Sequence, residues 1–147
     1  MRIMERHTHP DHTHPDIAGL VGTRVLVVED DFVLLLELEW ILSEAGAKIV
    51  GLCQTTEQAH AHLRRGDIDI AVLDFQLRGE TSLSVAQELA RRGMPFIFYT
   101  GQAETDLITA EWPRCKIISK PAQPEELIAA LTSLVSQALA DESTPFR

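Results

Sequence analysis

Asp74 ends a short apolar run, Ile70-Ala71-Val72-Leu73, and is the residue around which chemistry can be built. A run this short and this apolar suits a strand buried on both faces. A carboxylate at the mouth of such a strand is costly unless something pairs with it. Three further apolar runs end in polar groups. Residues 24–28 lead into Glu29-Asp30-Asp31, residues 94–99 into Thr100-Gly101, and residues 116–118 into Ser119-Lys120-Pro121. Ligands of open α/β sheets sit at the carboxyl ends of the strands. Glu29, Asp30, Asp74, Thr100 and Lys120 are therefore expected to converge on one crevice. Carboxylates crowded in this way repel one another and attract a cation, and all-oxygen ligands suit Mg²⁺. Beside such a cation Asp74 is placed to attack phosphorus and form an aspartyl phosphate. Lys120 would neutralise a phosphoryl oxygen, Thr100 would donate its hydroxyl, and Gly101 would leave space beside it. That is positioning plus electrostatics, as phosphoryl transfer generally is.

The elements that must hold these groups follow from pattern and punctuation. Helices are expected over residues 32–45, 55–65, 82–92, 104–110 and 124–140, with Gly46, Gly66 and Gly93 as stops. Thr55 and Gln58 are spaced as a capping box, and Pro124 with Glu125-Glu126 suits a helix start. Strands are expected over residues 24–28, 48–52, 70–73, 94–99 and 116–118. Five alternating strand–helix units predict an α/β, doubly wound, five-stranded parallel sheet in the order 2-1-3-4-5, a flavodoxin-like fold. Its crevice lies where the first and third strands diverge. The 147 residues make one domain, and a hydrophobic share of 45% is enough for a packed core.

With these motifs in register, the chain resembles the receiver domain of two-component response regulators. The resemblance rests on Val27-Val28-Glu29-Asp30-Asp31, Val72-Leu73-Asp74, Tyr99-Thr100-Gly101 and Ser119-Lys120-Pro121, and covers about residues 24–140. It implies that Asp74 is phosphorylated by a histidine kinase or a histidine phosphotransfer protein. Asp30 and Asp74 would bind Mg²⁺ directly and Glu29 through water, with the Gln76 backbone carbonyl completing the set. Lys120-Pro121 would be a cis peptide. The chain departs from the family pattern in three places. The aromatic residue often found three before the lysine is here Ile117, which leaves Tyr99 as a candidate substitute. Arg78 stands where a proline commonly follows the phosphoacceptor by four. Gln76 and Gln102 flank the phosphoryl site. The variant pattern 96–101 resembles stand-alone receivers of alphaproteobacteria.

Outside the motifs, residues 1–22 read as a flexible extension carrying a direct repeat, His7-Thr8-His9-Pro10-Asp11 then His12-Thr13-His14-Pro15-Asp16. Residues 23–141 form the receiver and 142–147 a tail. On the first helix Leu34, Leu35, Leu38, Ile41, Leu42 and Ala45 form an inward stripe. Phe32, Val33, Leu36 and Trp40 fall on the opposite face, an interface candidate for a partner, a second protomer in a homodimer, or a cover formed by Ile17, Leu20 and Val21. His60 and His62 read as solvated, Trp112 as loop packing, and Arg91-Arg92 as complements of a helix dipole.

The net charge of −9 leaves no basic patch for nucleic acid. No segment has transmembrane length and no apolar leader is present, which predicts a cytoplasmic location. Cys53 and Cys115 are expected on opposite sheet edges, too distant to bridge. The 27 residues after Lys120 suffice for one helix and a tail, so the reading is a single-domain regulator that signals by phosphoryl relay or by phosphorylation-controlled binding, and not an enzyme. The alternatives are a metal-dependent phosphatase or phosphotransferase with an aspartyl-phosphate intermediate, and a degenerate receiver acting only as a binding module. Gln76, where such enzymes need a second acid, counts against the first. A Rossmann-type nucleotide site is disfavoured because the loop after the first strand is acidic and lacks glycine.

Overall fold

The computed structural model describes residues 19–142. In chain order the elements are β1 (Arg24–Val28), α1 (Phe32–Glu44), β2 (Lys48–Cys53), α2 (Thr56–Arg65), β3 (Ile70–Leu73), β4 (Gln76–Leu77) and β5 (Glu80–Thr81). They are followed by α3 (Leu83–Arg91), β6 (Phe96–Thr100), α4 (Gln102–Glu111), β7 (Lys116–Ser119) and α5 (Pro124–Glu142). Five strands pair in parallel in the order β2-β1-β3-β6-β7, the predicted order once the small β4-β5 hairpin is set aside. Sequence pattern missed that hairpin, because strands of two residues carry no periodicity.

Alternation along the strands sends side chains into two apolar layers. Val25 and Val27 of β1, Ile70 and Val72 of β3, Ile97 and Ile118 pack against Leu35, Leu38 and Leu42 of α1 and Leu127 and Leu131 of α5. On the other face Leu26, Val28, Ala71, Leu73 and Phe98 meet Ala59 and Leu63 of α2, Val85 and Leu89 of α3, and Ile108 of α4. Phe96 and Phe98 stand edge to face, 5.6 Å apart, with Trp112 against both. Trp112 is thus the seal at the end of α4, in keeping with its expected packing role. Cys53 and Cys115 are free thiols, and burial pushes both up to about 11.

Local chemistry ends the helices much as predicted. Asp31 caps α1 by accepting from the backbone N–H groups of Val33 and Leu34. Thr55 caps α2 by accepting from Gln58 N, but Gln58 Oε1 accepts in return from Gln54 N, one residue further back than a capping box requires. Helix α4 starts two residues earlier than expected, at Gln102. His60 Nε2 lies 3.0 Å from Ser84 Oγ, joining α2 to α3, and the His62 ring lies over Gly51. Both rings therefore pack against neighbouring elements; an isolated helical pattern cannot show that they are not simply solvated. Arg91 and Arg92 both pair with Glu88.

The structured domain starts earlier than the expected boundary after residue 22. Leu20 is fully buried in the α1/α5 layer, its N–H donates to Ala45 O, and Gly22 N donates to Gly46 O. Leu20 thus enters the core and does not cover the outer face of α1, while Val21 stays exposed. Gly46 makes this passage possible, since its φ is +94° and a Cβ there would collide with the Val21 backbone. The histidine repeat and Ile17 lie outside the described residues, as does the tail from residue 143.

Arg24 and Asp69 clamp the start of β1 to the approach to β3. Arg24 N and Nε donate to Asp69 Oδ2, and Nη2 donates to Oδ1. The guanidinium holds the Asp69 carboxyl below the usual carboxylate range, against a smaller opposing effect of burial.

Two expected outcomes follow from this packing. Leu20→Ala should cost about 2–4 kcal/mol in urea unfolding, the range for truncating a buried leucine, while Val21→Ala changes the midpoint little. Asp69→Asn should cost about 1 kcal/mol at neutral pH, a charge-assisted bond discounted for exposure. The depressed Asp69 value means that this contribution is present above the ordinary carboxylate range and is lost as pH falls through the depressed value. Wild type and variant should therefore converge in urea midpoint under acid conditions.

Candidate functional site

Each chemistry-bearing residue stands at a strand end whose backbone is locked to the next strand. Glu29 N donates to Cys53 O, Asp74 N to Val28 O, and Lys120 N to Thr100 O. The parallel registers Val28↔Leu73, Leu73↔Phe98 and Thr100↔Ser119 bring these ends to one rim of the sheet. The Lys120-Pro121 peptide is cis, as the resemblance implied.

Lys120 Nζ donates to Glu29 Oε1 at 2.7 Å and to Asp74 Oδ2 at 2.9 Å. Thr100 Oγ1 donates to Asp74 Oδ1 at 2.8 Å. Both Asp74 oxygens are thus engaged on a residue only 7% exposed. Glu29 is 1% exposed, and its second oxygen accepts from Asp31 N at 3.0 Å. Burial, and to a lesser degree the neighbouring Asp74 charge, pushes the Glu29 carboxyl above its usual range, while the bonds from Lys120 and Asp31 N oppose the shift. Desolvation acts to lower the Lys120 ammonium, but its bonds to Glu29 and Asp74 outweigh it and raise the group.

Asp30 is half-buried beside them, and carboxylate oxygens of Glu29, Asp30 and Asp74 all lie within 4.8 Å of one another. Three carboxylates against one ammonium leave an excess of negative charge in a half-closed site. Such a set of hard oxygen donors fits Mg²⁺.

Two further predicted site residues have local surroundings. Gln76 lies in β4 with an exposed side chain whose amide donates to Leu77 O and Glu80 O. These bonds hold the side chain within its own hairpin, whereas the contact expected of Gln76 is through its backbone carbonyl. Gly101 is the N-cap residue of α4, and the one atom a Cβ there would meet closely is the flexible end of Glu104, Oε1 at 2.9 Å. The predicted outer face of α1 is exposed, with Phe32, Val33 and Trp40 more than half accessible and Leu36 somewhat less.

Sequence reasoning missed the groups that hold the rim from outside. Gln54 Nε2 donates to the Asp30 carbonyl at 3.0 Å. Glu80 accepts from Thr56 N and Thr56 Oγ1 at 3.0 and 2.8 Å, tying the hairpin after Asp74 to the start of α2. These pairs are 24 residues apart and leave no local signal.

Comparison with known proteins agrees with this geometry. The model of the response regulator receiver domain matches residues 25–132. The chain is 29% identical over 122 residues to the phosphate regulon transcriptional regulatory protein PhoB of Pseudomonas aeruginosa, covering 79% of this chain and 53% of PhoB. It is 28% identical over 135 residues to the phyllosphere-induced regulator PhyR of Methylorubrum extorquens, covering 88% and 48%. The chain thus spans about half the length of the curated relatives it matches. Among solved structures, SdrG from Sphingomonas melonis is 35% identical with a TM-score of 0.68, over 78% of this chain and 97% of SdrG. PhyR from Brucella abortus is 25% identical with a TM-score of 0.76, over 89% and 55%.

Lys120→Met leaves Glu29 and Asp74 buried without their counter-ion. In metal-free buffer it should lower unfolding free energy by about 3 kcal/mol, the low end for breaking a buried pair. Mg²⁺ should raise the urea midpoint of the variant more than that of the wild type.

Proposed function

This chain belongs to the response regulator receiver family, and on that footing we propose that Asp74 accepts a phosphoryl group from a phosphohistidine partner. The observation that carries the reading is Asp74 itself: a buried carboxylate whose oxygens meet a threonine hydroxyl and a lysine ammonium, with Glu29 and Asp30 alongside. An Asp74 oxygen attacks the phosphorus, a P–O bond forms, and the P–N bond to the donor imidazole breaks with its electron pair staying on nitrogen. Lys120 and Thr100 already contact the oxygens of Asp74 and are positioned to neutralise and to hydrogen-bond the new phosphoryl oxygens. Asp30, Asp74 and the Gln76 carbonyl would hold Mg²⁺, with Glu29 behind them. The ion supplies charge neutralisation of the transferring group. The product is a signalling state, and no group stands two residues after Asp74 to act as the acid of a phosphatase.

The exposed face of Phe32, Val33, Leu36 and Trp40 begins directly after Asp30 and Asp31. This continuity with the rim makes it the contact for the histidine-bearing donor: a partner docked there lies over the carboxylates. No helix among the described residues is long and apolar enough to cross a membrane.

Intact-mass spectrometry with acetyl phosphate tests the chemistry. Wild type should gain a single phosphoryl adduct that requires Mg²⁺, and Asp74→Ala should gain none. Trp40→Glu should label normally with acetyl phosphate but lose most transfer from a phosphorylated histidine protein. A Mg²⁺-dependent adduct on Asp74→Ala would sink the assignment.

A further inference from the structure

Tyr99 precedes Thr100 in β6 and pairs with Ile118 of β7, two residues before Lys120. Ile117, which occupies the position often held by an aromatic residue, packs with Phe98 and Trp112 in the α2/α3/α4 layer. Tyr99 packs in the opposite layer, with Ile118, Leu127 and Leu131. It does not take over the place of a ring at 117; it faces α5.

Two contacts tie Tyr99 to the segment that carries Lys120. Lys120 Nζ stands 5.8 Å from the ring centroid, within range of a cation–π attraction. The Tyr99 hydroxyl accepts from Ala122 N at 3.2 Å. The same ammonium donates to Asp74 and Glu29, and one residue past Ala122 the carbonyl of Gln123 receives the first N–H groups of α5, from Glu126 and Leu127. An unbroken series of contacts therefore runs from Asp74 through Lys120 and Tyr99 to Ala122 and the start of α5.

We propose that Tyr99 is a positioning residue that passes the state of Asp74 to the first turns of α5, a role that rests on Asp74 being the phosphoacceptor. A phosphoryl group brings more negative charge than the carboxylate it replaces. Its pull on the Lys120 ammonium exceeds that of the ring quadrupole, and a charge-assisted bond outweighs the ring contact. Lys120 then moves off the ring toward the phosphoryl oxygens. Because the Tyr99 hydroxyl holds Ala122 N, the 120–122 segment cannot absorb that movement alone, and the start of α5 moves with it. The output face is then at the start of α5.

Backbone amide NMR of the full chain tests this, comparing wild type and Tyr99→Phe with Mg²⁺ before and after acetyl phosphate, with intact mass taken on each sample. Tyr99→Phe keeps the ring and its packing and removes only the acceptor for Ala122. In wild type, phosphorylation should shift the amide signals of Thr100 and of residues 122–131. In Tyr99→Phe the adduct yield and the Thr100 shift should persist, while the shifts over residues 122–131 fall several-fold. Equal shifts over 122–131 in both proteins would overturn the role of Tyr99, as would a phosphorylated wild type in which those signals do not move. Absence of any adduct on wild type would overturn the phosphoacceptor reading itself, and the Tyr99 role with it.

Discussion

One ammonium holds the site together. Lys120 donates to both Glu29 and Asp74, and without it two nearly buried carboxylates would face each other in a medium that screens charge poorly. The arrangement leaves the rim short of positive charge, since Asp30 joins the same cluster. That deficit suits the site to a divalent cation. Lys120 is well suited to this because its long stem reaches the crevice from just past the last strand.

Everything else in the fold serves to keep those few atoms in register. The backbone bonds Asp74 N to Val28 O, Glu29 N to Cys53 O and Lys120 N to Thr100 O are continuations of the parallel ladders. A slip of one residue in any strand would turn a site residue into the core. Two dense apolar layers prevent such slips, and their burial offsets the cost of desolvating the polar rim. Gln54 on the Asp30 carbonyl and Glu80 on Thr56 brace the two loops that carry the acids. The site is therefore an extension of the sheet with side-chain struts, and not a set of mobile loops.

On the proposed reading, the same architecture separates input from output. The exposed apolar stripe of α1 starts beside the carboxylates, whereas Tyr99 and α5 lie behind Lys120. Lys120 is the group that touches both Asp74 and the Tyr99 ring.

Much of this was legible in residue order alone. Apolar runs that end in acids, a threonine and a lysine announced the strands, their parallel order and the residues at the rim. Helical spacing on α1 separated the inward leucines from Phe32, Val33, Leu36 and Trp40, because 3.6-residue periodicity is a local property. Tertiary structure decided the rest. Which oxygen of Asp74 meets Thr100 and which meets Lys120 depends on partners 26 and 46 residues away, and the Lys120–Glu29 pair spans 91 residues. The burial of Leu20 and the layer into which Tyr99 packs are both set by elements distant in the chain. Local pattern states which residues prefer to be buried or to cap a helix; only the packed sheet states what lies opposite them.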